Sequence, residues 1–533
     1  MPESAGRQMG RAAALMMASV FLSRVLGYAR DAVIAYQHGA TPETDAYFAA
    51  FTIPDFLNYL LAGGALSITF IPIFSRYLAE GREEEGFRSF STIATIMGTA
   101  MIFFIVLGEF LAPRVIPLVA PGFSAAQTSV AARLTRIVLP AQIFFYLGGL
   151  LMAIQYARKQ FFLPALAPLV YNAAIIAGGL LAGRERGMDG FAWGVVAGAF
   201  LGNFALQLHG ARGGAFLYRP RFDFADAGLR EFIRLSIPIM LGFSLVMVDE
   251  WTTRVFGSFL LVGAITWLNN ARRLMLVPVG IFGQASGVAS FPFLSELMAQ
   301  GRKEEMWNTL SLTLRWVFLV SAAVAAAVFV LSREAVLLVY QRGAFNIDDT
   351  MHTAAALSAF GLGIPFWCAQ AIVSRGFFAM KDTWTPTIAG TAAWVVALPV
   401  YYLLQRSYGI FGLALASTAG ILLYAGALYA ILMRRTVGRR GIPELLEYGR
   451  MAAAAVLAGA VGRYGLSEAA RFVSWETPWG ALIRLAAGAT AIGGVYVLFA
   501  FLAGSRTVRT IRRRRDLLRP PAADPGTAFP PED

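Results

Sequence analysis

The sequence predicts an all-α polytopic membrane protein of about fourteen transmembrane helices, in two parallel six-helix lobes with two further C-terminal helices. Three observations carry this. Of 533 residues, 57% are hydrophobic and 14% charged, with a mean hydropathy of +0.60, against roughly 25% charged residues in soluble domains. Apolar runs of about 20 residues, enough to cross a bilayer as a helix, recur along the chain. Two sequence blocks also repeat at nearly one offset.

Taken in order, the spans cover 10–37, 46–76, 89–112, 128–157, 162–183, 189–210, 232–258, 262–296, 308–331, 350–380, 384–404, 409–433, 446–463 and 480–503, each bounded by charged or Gly/Pro-rich turns. The first follows Arg7 and Arg11 like a signal peptide, but it runs on through Arg24, Arg30 and Asp31 and reads as an uncleaved helix. The domain reading is a cytoplasmic N-terminus at 1–9, an N-lobe at 10–212, a cytoplasmic linker at 213–230, a C-lobe at 231–435, helices 13 and 14 at 446–503, and a basic, then Pro-rich tail at 504–533.

The repeat explains the two lobes. Ile71-Pro-Ile-Phe-Ser-Arg-Tyr-Leu-Ala-Glu-Gly-Arg-Glu-Glu-Glu85 aligns with Phe291-Pro-Phe-Leu-Ser-Glu-Leu-Met-Ala-Gln-Gly-Arg-Lys-Glu-Glu305, and Tyr156-Ala-Arg-Lys159 with Phe378-Ala-Met-Lys381. Six spans per copy is an even number, so the copies are parallel, related by an axis along the membrane normal.

The net charge of +13 suggests a nucleic-acid binder until the basic residues are placed. With the N-terminus inside, about 27 Lys/Arg fall in cytoplasmic segments and about eight in the opposite loops. This puts both termini in the cytoplasm of a multi-pass inner-membrane protein, with Arg506, Arg509 and Arg512 to Arg515 against anionic lipid. No nucleic-acid partner is implied. The single cysteine, Cys368, excludes an intramolecular disulfide, and His38, His209 and His352 lie too far apart to suggest a metal site.

Intramembrane charge costs about 2.5–3.5 kcal/mol per residue on insertion scales and is a functional signal. It concentrates in four spans related by the repeat. Span 1 holds Arg24, Arg30 and Asp31; span 2, Asp45, Asp55 and Asn58; span 7, Asp249, Glu250 and Arg254; span 8, Asn269, Asn270, Arg272 and Arg273. Arg24, Arg30, Arg272 and Arg273, with Asn58, are candidates for gripping a pyrophosphate, since guanidinium forks match phosphate oxygens. Asp31, Asp45, Asp249 and Glu250 are candidate cavity acids or coupling groups, with coupling open between Na+, H+ and the membrane potential. Glu250 and Arg254, at i and i+4, also read as a plain intrahelical ion pair. Gly63-Gly64, Pro54, Pro278, Gly280, Gly283 and Gly287 read either as hinges or as close-packing positions. No phosphate loop, nucleophile elbow or carboxylate pair beside a histidine is present, so the chain reads as a transporter and no cofactor is called for.

Ser23-Arg-Val-Leu-Gly-Tyr-Ala-Arg-Asp31, Asp45-Ala-Tyr-Phe-Ala-Ala-Phe-Thr-Ile-Pro54, Gly64-Ala with Phe70-Ile-Pro72, Ala120-Pro-Gly-Phe123, Trp267 to Pro278 and Phe377-Phe-Ala-Met-Lys-Asp-Thr-Trp-Thr-Pro386 resemble the motifs of the MurJ (MviN) lipid II flippase family of the MOP transporter superfamily. The resemblance spans about residues 10 to 505. It implies a carrier that moves an undecaprenyl-pyrophosphate-linked peptidoglycan precursor from the cytoplasmic to the outer leaflet by alternating access, and the expected state is a monomer. Arg24, Arg30 and Arg273 correspond to family cavity arginines, Asp31 and Asp45 to family acids, and helices 13 and 14 to a groove for the lipid tail.

The chain departs from the family where Pro-Asn-x-x-Arg-x-x-x-Ala-Glu-Gly becomes Pro54-Asp55-Phe-Leu-Asn58-Tyr-Leu-Leu-Ala62-Gly63-Gly64, and where Ala-Asp-Arg-Leu-x-Glu becomes Ala271-Arg272-Arg273-Leu274-Met275-Leu276. The competing readings are a flippase for O-antigen or exopolysaccharide, a cation-coupled drug exporter of the same superfamily, and a membrane glycosyltransferase. The cavity arginines disfavour the exporter, and the short outer loops disfavour the transferase.

Overall fold

The computed structural model describes residues 5–59, 69–212, 218–240, 245–438, 442–469 and 471–508. Among the described residues twenty α-helices follow one another: α1 Ala5–His38, α2 Pro42–Ala50, α3 Thr52–Leu57, α4 Ile71–Ala79, α5 Glu83–Val119, α6 Ala125–Val138, α7 Ala141–Ala157, α8 Phe162–Ala182, α9 Asp189–Gly198, α10 Leu206–Ala211, α11 Ala227–Met240, α12 Leu245–Gly257, α13 Ala264–Pro278, α14 Ala285–Ala299, α15 Lys303–Tyr340, α16 Ile347–Gly361, α17 Ile364–Ala379, α18 Trp384–Thr436, α19 Ile442–Ala469 and α20 Pro478–Leu502. The protein is an all-α, multi-pass membrane protein. Among the described residues, helix lies in each of the fourteen apolar stretches, and nine helices are long and apolar enough to cross a membrane, or ten if the bent pair α16 and α17 forms one span. Glycine divides the longest, α18, which breaks at Gly409 with φ 55°.

Local chemistry starts and stops these helices. Thr41 caps α2 in a capping box with Thr44, and Pro42 opens its first turn; Ser124 and Gln127 do the same for α6. Two segments, Ala199–Ala205 and Val279–Gln284, are π-helical. The second follows directly on Pro278, whose missing N–H disrupts the ordinary ladder.

The sequence repeat is reproduced in the turns. After α4, Gly81 (φ 70°) donates to Leu78 O and Arg82 to Tyr77 O; after α14, Gly301 (φ 74°) donates to Met298 O and Arg302 to Leu297 O, the same Schellman motif. Arg82 then pairs with Glu85, and Arg302 with Glu305. In the other repeated block, Lys159 and Lys381 are the only non-glycine residues among those described with positive φ, 60° and 58°. Each closes its helix with bonds of one pattern, Lys159 to Tyr156 O and Lys381 to Phe378 O.

Two compact units cut across the sequence halves. The first comprises residues 1–274, 339–356 and 390–417. Its cores join α4, α5 and α7 through Phe70, Phe74, Phe90 and Tyr146, and α1, α2, α6 and α9 through Ile34, Tyr47, Leu134 and Phe191. The second comprises residues 275–338, 357–389 and 418–533. There α19 and α20 pack on α15 through Met451, Ala454, Ile492 and Tyr496 against Phe318, Leu319 and Leu331. A buried ion pair, Arg484 Nε to Glu334 Oε1 at 2.9 Å, joins α20 to α15. Cys368 is fully buried on α17. A side chain at Gly283 would stand 2.7 Å from Cys368 Cα, so Gly283 serves close helix packing. Gly63-Gly64, Arg509, Arg512 to Arg515 and the Pro-rich tail lie outside the described residues.

Candidate functional site: a charged pocket in the first unit

The site begins with what closes one end of it. Asp45, in the first turn of α2, is 2% exposed. Its carboxylate accepts from Gly263 N at 2.7 Å, Thr266 N at 2.8 Å and Thr266 Oγ1 at 2.7 Å. It therefore caps α13 from another helix, a favourable place for an anion because the N–H groups there lack intrahelical partners. Beside it, Ala344 N donates to Tyr36 O at 2.8 Å, Trp267 Nε1 donates to Asp349 Oδ1 at 2.9 Å, and His352 stacks on Trp267 at 4.3 Å. Gly122 N donates to Ser258 Oγ at 3.0 Å. Segments from both sequence halves are thus fastened at this end of the unit.

Next to this closure lies a pocket of about 550 Å³ whose charged lining is Arg30, Asp31, Asp55, Glu250, Arg254 and Arg273, with Asn58, Asn269 and the rings of Tyr47, Tyr59, Tyr171 and Trp251. Two charge clusters face it. On the α1 and α13 side, Asp31 is held between Arg30 (Nη2 to Oδ1, 2.9 Å) and Arg273 (Nε to Oδ2, 2.9 Å). Arg30 Nη1 also donates to Asn172 Oδ1 at 3.2 Å, and Tyr28 Oη donates to Arg273 O at 3.2 Å. On the α3 and α12 side, Arg254 lies between Glu250 (2.5 Å) and Asp55 (3.4 Å) and donates to Thr52 Oγ1 at 2.9 Å.

With all six groups ionised, the first cluster carries +1 and the second −1. The lining is neutral in sum but dipolar. Asp31 is 1% exposed in its side chain, whereas Arg273 is 43% exposed. Asp31 thus orients two guanidinium groups while one of them still presents donors to the pocket, an arrangement suited to an anion with several oxygens.

The sequence candidates separate accordingly. Arg30, Asp31, Asn58, Glu250 and Arg273 line the pocket, and Asn58 is steadied by Gln142 Oε1 at 3.1 Å. Four others do not line it. Asp45 is the helix clamp. Asp249 is fully buried and engaged by Arg272 Nη2 at 2.5 Å, Ser417 Oγ at 2.9 Å and the Tyr401 hydroxyl. Arg272 is correspondingly turned away, with Thr253 Oγ1 as a further acceptor at 3.0 Å. Burial forces this arrangement, because neither charge is tolerable there without the other. Arg24 is exposed on α1, seven residues before Asp31 and on its helix face. Glu250 and Arg254 do form the intrahelical pair, but Arg254 also crosses to Thr52 and Asp55.

Arg254, Asp55, Trp251 and Asn172 were missed as site residues. A signal existed for Arg254: it falls in one of the four charged spans and faces Asp55 in another.

Known proteins match this chain closely. A family described as "Lipid II flippase MurJ" matches residues 34–481. The chain is 28% identical over 465 residues to the "Probable lipid II flippase MurJ" of Haemophilus influenzae, covering 84% of this chain and 91% of that one. It is 29% identical over 457 residues to the "Lipid II flippase MurJ" of Burkholderia cenocepacia, covering 84% and 88%. Among solved structures, a lipid II flippase MurJ in an inward closed conformation superposes with a TM-score of 0.75 at 25% identity, over 95% of this chain and all of that one. An inward-facing multidrug transporter of the MATE family, MOP superfamily, shares the fold at a TM-score of 0.64 and 13% identity, over 79% of this chain and 98% of that one. The chain therefore belongs to the lipid II flippase MurJ family.

Proposed function

We propose that this protein carries lipid II, an undecaprenyl-pyrophosphate-linked glycan, from the inner to the outer leaflet of a bacterial cytoplasmic membrane by alternating access. Membership of the family supports the substrate class. The observation that carries the reading in this chain is the Arg30, Asp31, Arg273 cluster facing the 550 Å³ pocket. Two guanidinium groups sharing one carboxylate leave a net positive flank of fixed geometry, and a pyrophosphate brings negative oxygens on two phosphorus atoms. Arg24, on the same face of α1 outside the pocket, would meet the headgroup on its way in. Arg254 supplies a guanidinium to the α3 flank, where the family's arginine position is occupied by Asn58.

The coupling we propose is to the membrane potential. Asp249 is already taken up by Arg272, Tyr401 and Ser417. A negative headgroup moving outward is driven down an inside-negative potential by about 2.3 kcal/mol per charge per 100 mV. Both termini are cytoplasmic in this reading, basic loops rest on anionic lipid, and the pocket is complete within one chain, so the protein works as a monomer.

The departures at Asn58, Arg272 and Leu276 favour a second reading, in which the same pyrophosphate lipid carries another glycan. One experiment separates the two. Expression in a strain depleted of its lipid II flippase should restore growth and clear precursor from the inner leaflet. Failure to do so at normal protein abundance, with loss of a different surface polysaccharide on deletion in the native host, would assign the second reading.

A further inference from the structure

An apolar pocket of about 330 Å³ adjoins the charged one. Its walls are α3, α5 and α12, through Ile53, Phe56, Leu107, Leu111, Val115 and Trp251. The single hydroxyl on its lining, that of Thr52, is engaged by Arg254 Nη1 of the charged pocket at 2.9 Å. Trp251 lines both pockets and contacts Phe56 with ring centroids 5.9 Å apart. Phe56 and Leu107 are 38% and 39% exposed, so the pocket opens sideways onto the apolar surface of the helices. Gly108 is also on the lining, where a side chain would come within 3.1 Å of Leu139 Cδ1, so the glycine lets α5 pack closely on Leu139.

We propose that this pocket binds the isoprene units next to the pyrophosphate, with Trp251 as the sill between headgroup and tail. The inference rests on the lipid-linked reading of the charged pocket and adds where the tail leaves it. A pyrophosphate held by arginines is bonded directly to a hydrocarbon that cannot stay among six charged groups without losing its apolar surroundings. It must leave through an apolar wall, and the Thr52, Phe56 and Trp251 wall offers that within one side chain of Arg254. Continuity with the charged pocket favours the substrate's own chain over a bilayer acyl chain, which lacks a headgroup suited to the arginines.

Two probes test this on the full-length protein in lipid nanodiscs: the glycan pyrophosphate bearing a 15-carbon prenyl chain, and the same headgroup as its methyl ester. Leu111→Trp, which fills the pocket, should weaken binding of the prenyl probe about tenfold and leave the methyl ester unchanged. Arg273→Gln should weaken both. Unchanged prenyl binding by Leu111→Trp overturns the proposal, and unchanged binding of both probes by Arg273→Gln overturns the pyrophosphate reading beneath it. A diazirine on the second isoprene of the prenyl probe, used with the unaltered protein, guards against misfolding of the variant. Label on Phe56, Leu107 or Trp251 supports the proposal; label confined to other helices, leaving the pocket to phospholipid acyl chains, overturns it.

Discussion

Replacing Arg272 by methionine is expected to destabilise the protein by about 3–5 kcal/mol, because it removes one partner of a buried ion pair. The side chains of Asp249 and Arg272 are 1% and 9% exposed, so the remaining carboxylate would have only the hydroxyls of Tyr401 and Ser417. Asp249→Asn alone removes the buried carboxylate that balances the guanidinium and should cost about as much. The double variant Asp249→Asn with Arg272→Met keeps hydrogen bonding to Tyr401 and Ser417 while removing both charges, and should lie within about 1–2 kcal/mol of the parent. Equilibrium unfolding in mixed micelles, followed by tryptophan fluorescence, measures all three. A double variant whose loss equals the sum of the single losses would refute the argument, since independent sites add and coupled ones do not.

Four further outcomes are expected. Asp45→Ala should cost about 1–3 kcal/mol and speed hydrogen exchange at the amides of Gly263 and Thr266, which donate to its carboxylate; unchanged exchange would contradict the clamp. Arg254→Gln leaves Asp55 and Glu250 without their shared cation and should cut transport at least about tenfold at normal abundance, as read by lipid exposed on the outer leaflet. Gly283→Leu forces a side chain into Cys368 and should lower stability by about 1–3 kcal/mol, measured by the same unfolding assay. Burial of Asp382, in the turn before α18, would raise its carboxyl, but the Thr385 hydroxyl and N–H and Arg435 outweigh it and hold the group below the usual range. Its contribution is therefore present above the unfolded value of about 3.9 and lost as pH falls through the depressed folded value; Asp382→Asn should flatten the acid limb of a stability profile, and an unaltered limb would contradict this.

Much of the fold was legible because membrane insertion imposes a strong local code. Apolar length marked the helices, and the duplicated blocks carried with them the Gly81 and Gly301 caps and the Lys159 and Lys381 turns, whose geometry depends on a few neighbouring residues. The site was legible only by span. Charge in spans 1, 2, 7 and 8 identified the helices around the pocket, but periodicity within one helix does not say which neighbour a side chain meets. Asp31 and Asp45 look alike as intramembrane carboxylates; one orients two arginines and the other ends on a helix N-terminus, because α13 begins opposite Asp45. Arg272 and Arg273 are adjacent, so about 100° of helical rotation sends one to Asp249 and the other to the pocket. The π-helical stretch after Pro278 left no pattern beyond the proline itself.

The proposed grip of Arg30 and Arg273 on the pyrophosphate of a lipid-linked glycan can be measured in cells. Its most direct test is the amount of lipid II reaching the outer leaflet, in cells whose only flippase is this protein or its Arg273→Gln variant at equal abundance. Accumulation in the inner leaflet and near-complete loss of outer-leaflet lipid are expected with the variant; outer-leaflet lipid at the parent level would contradict that role of the two arginines.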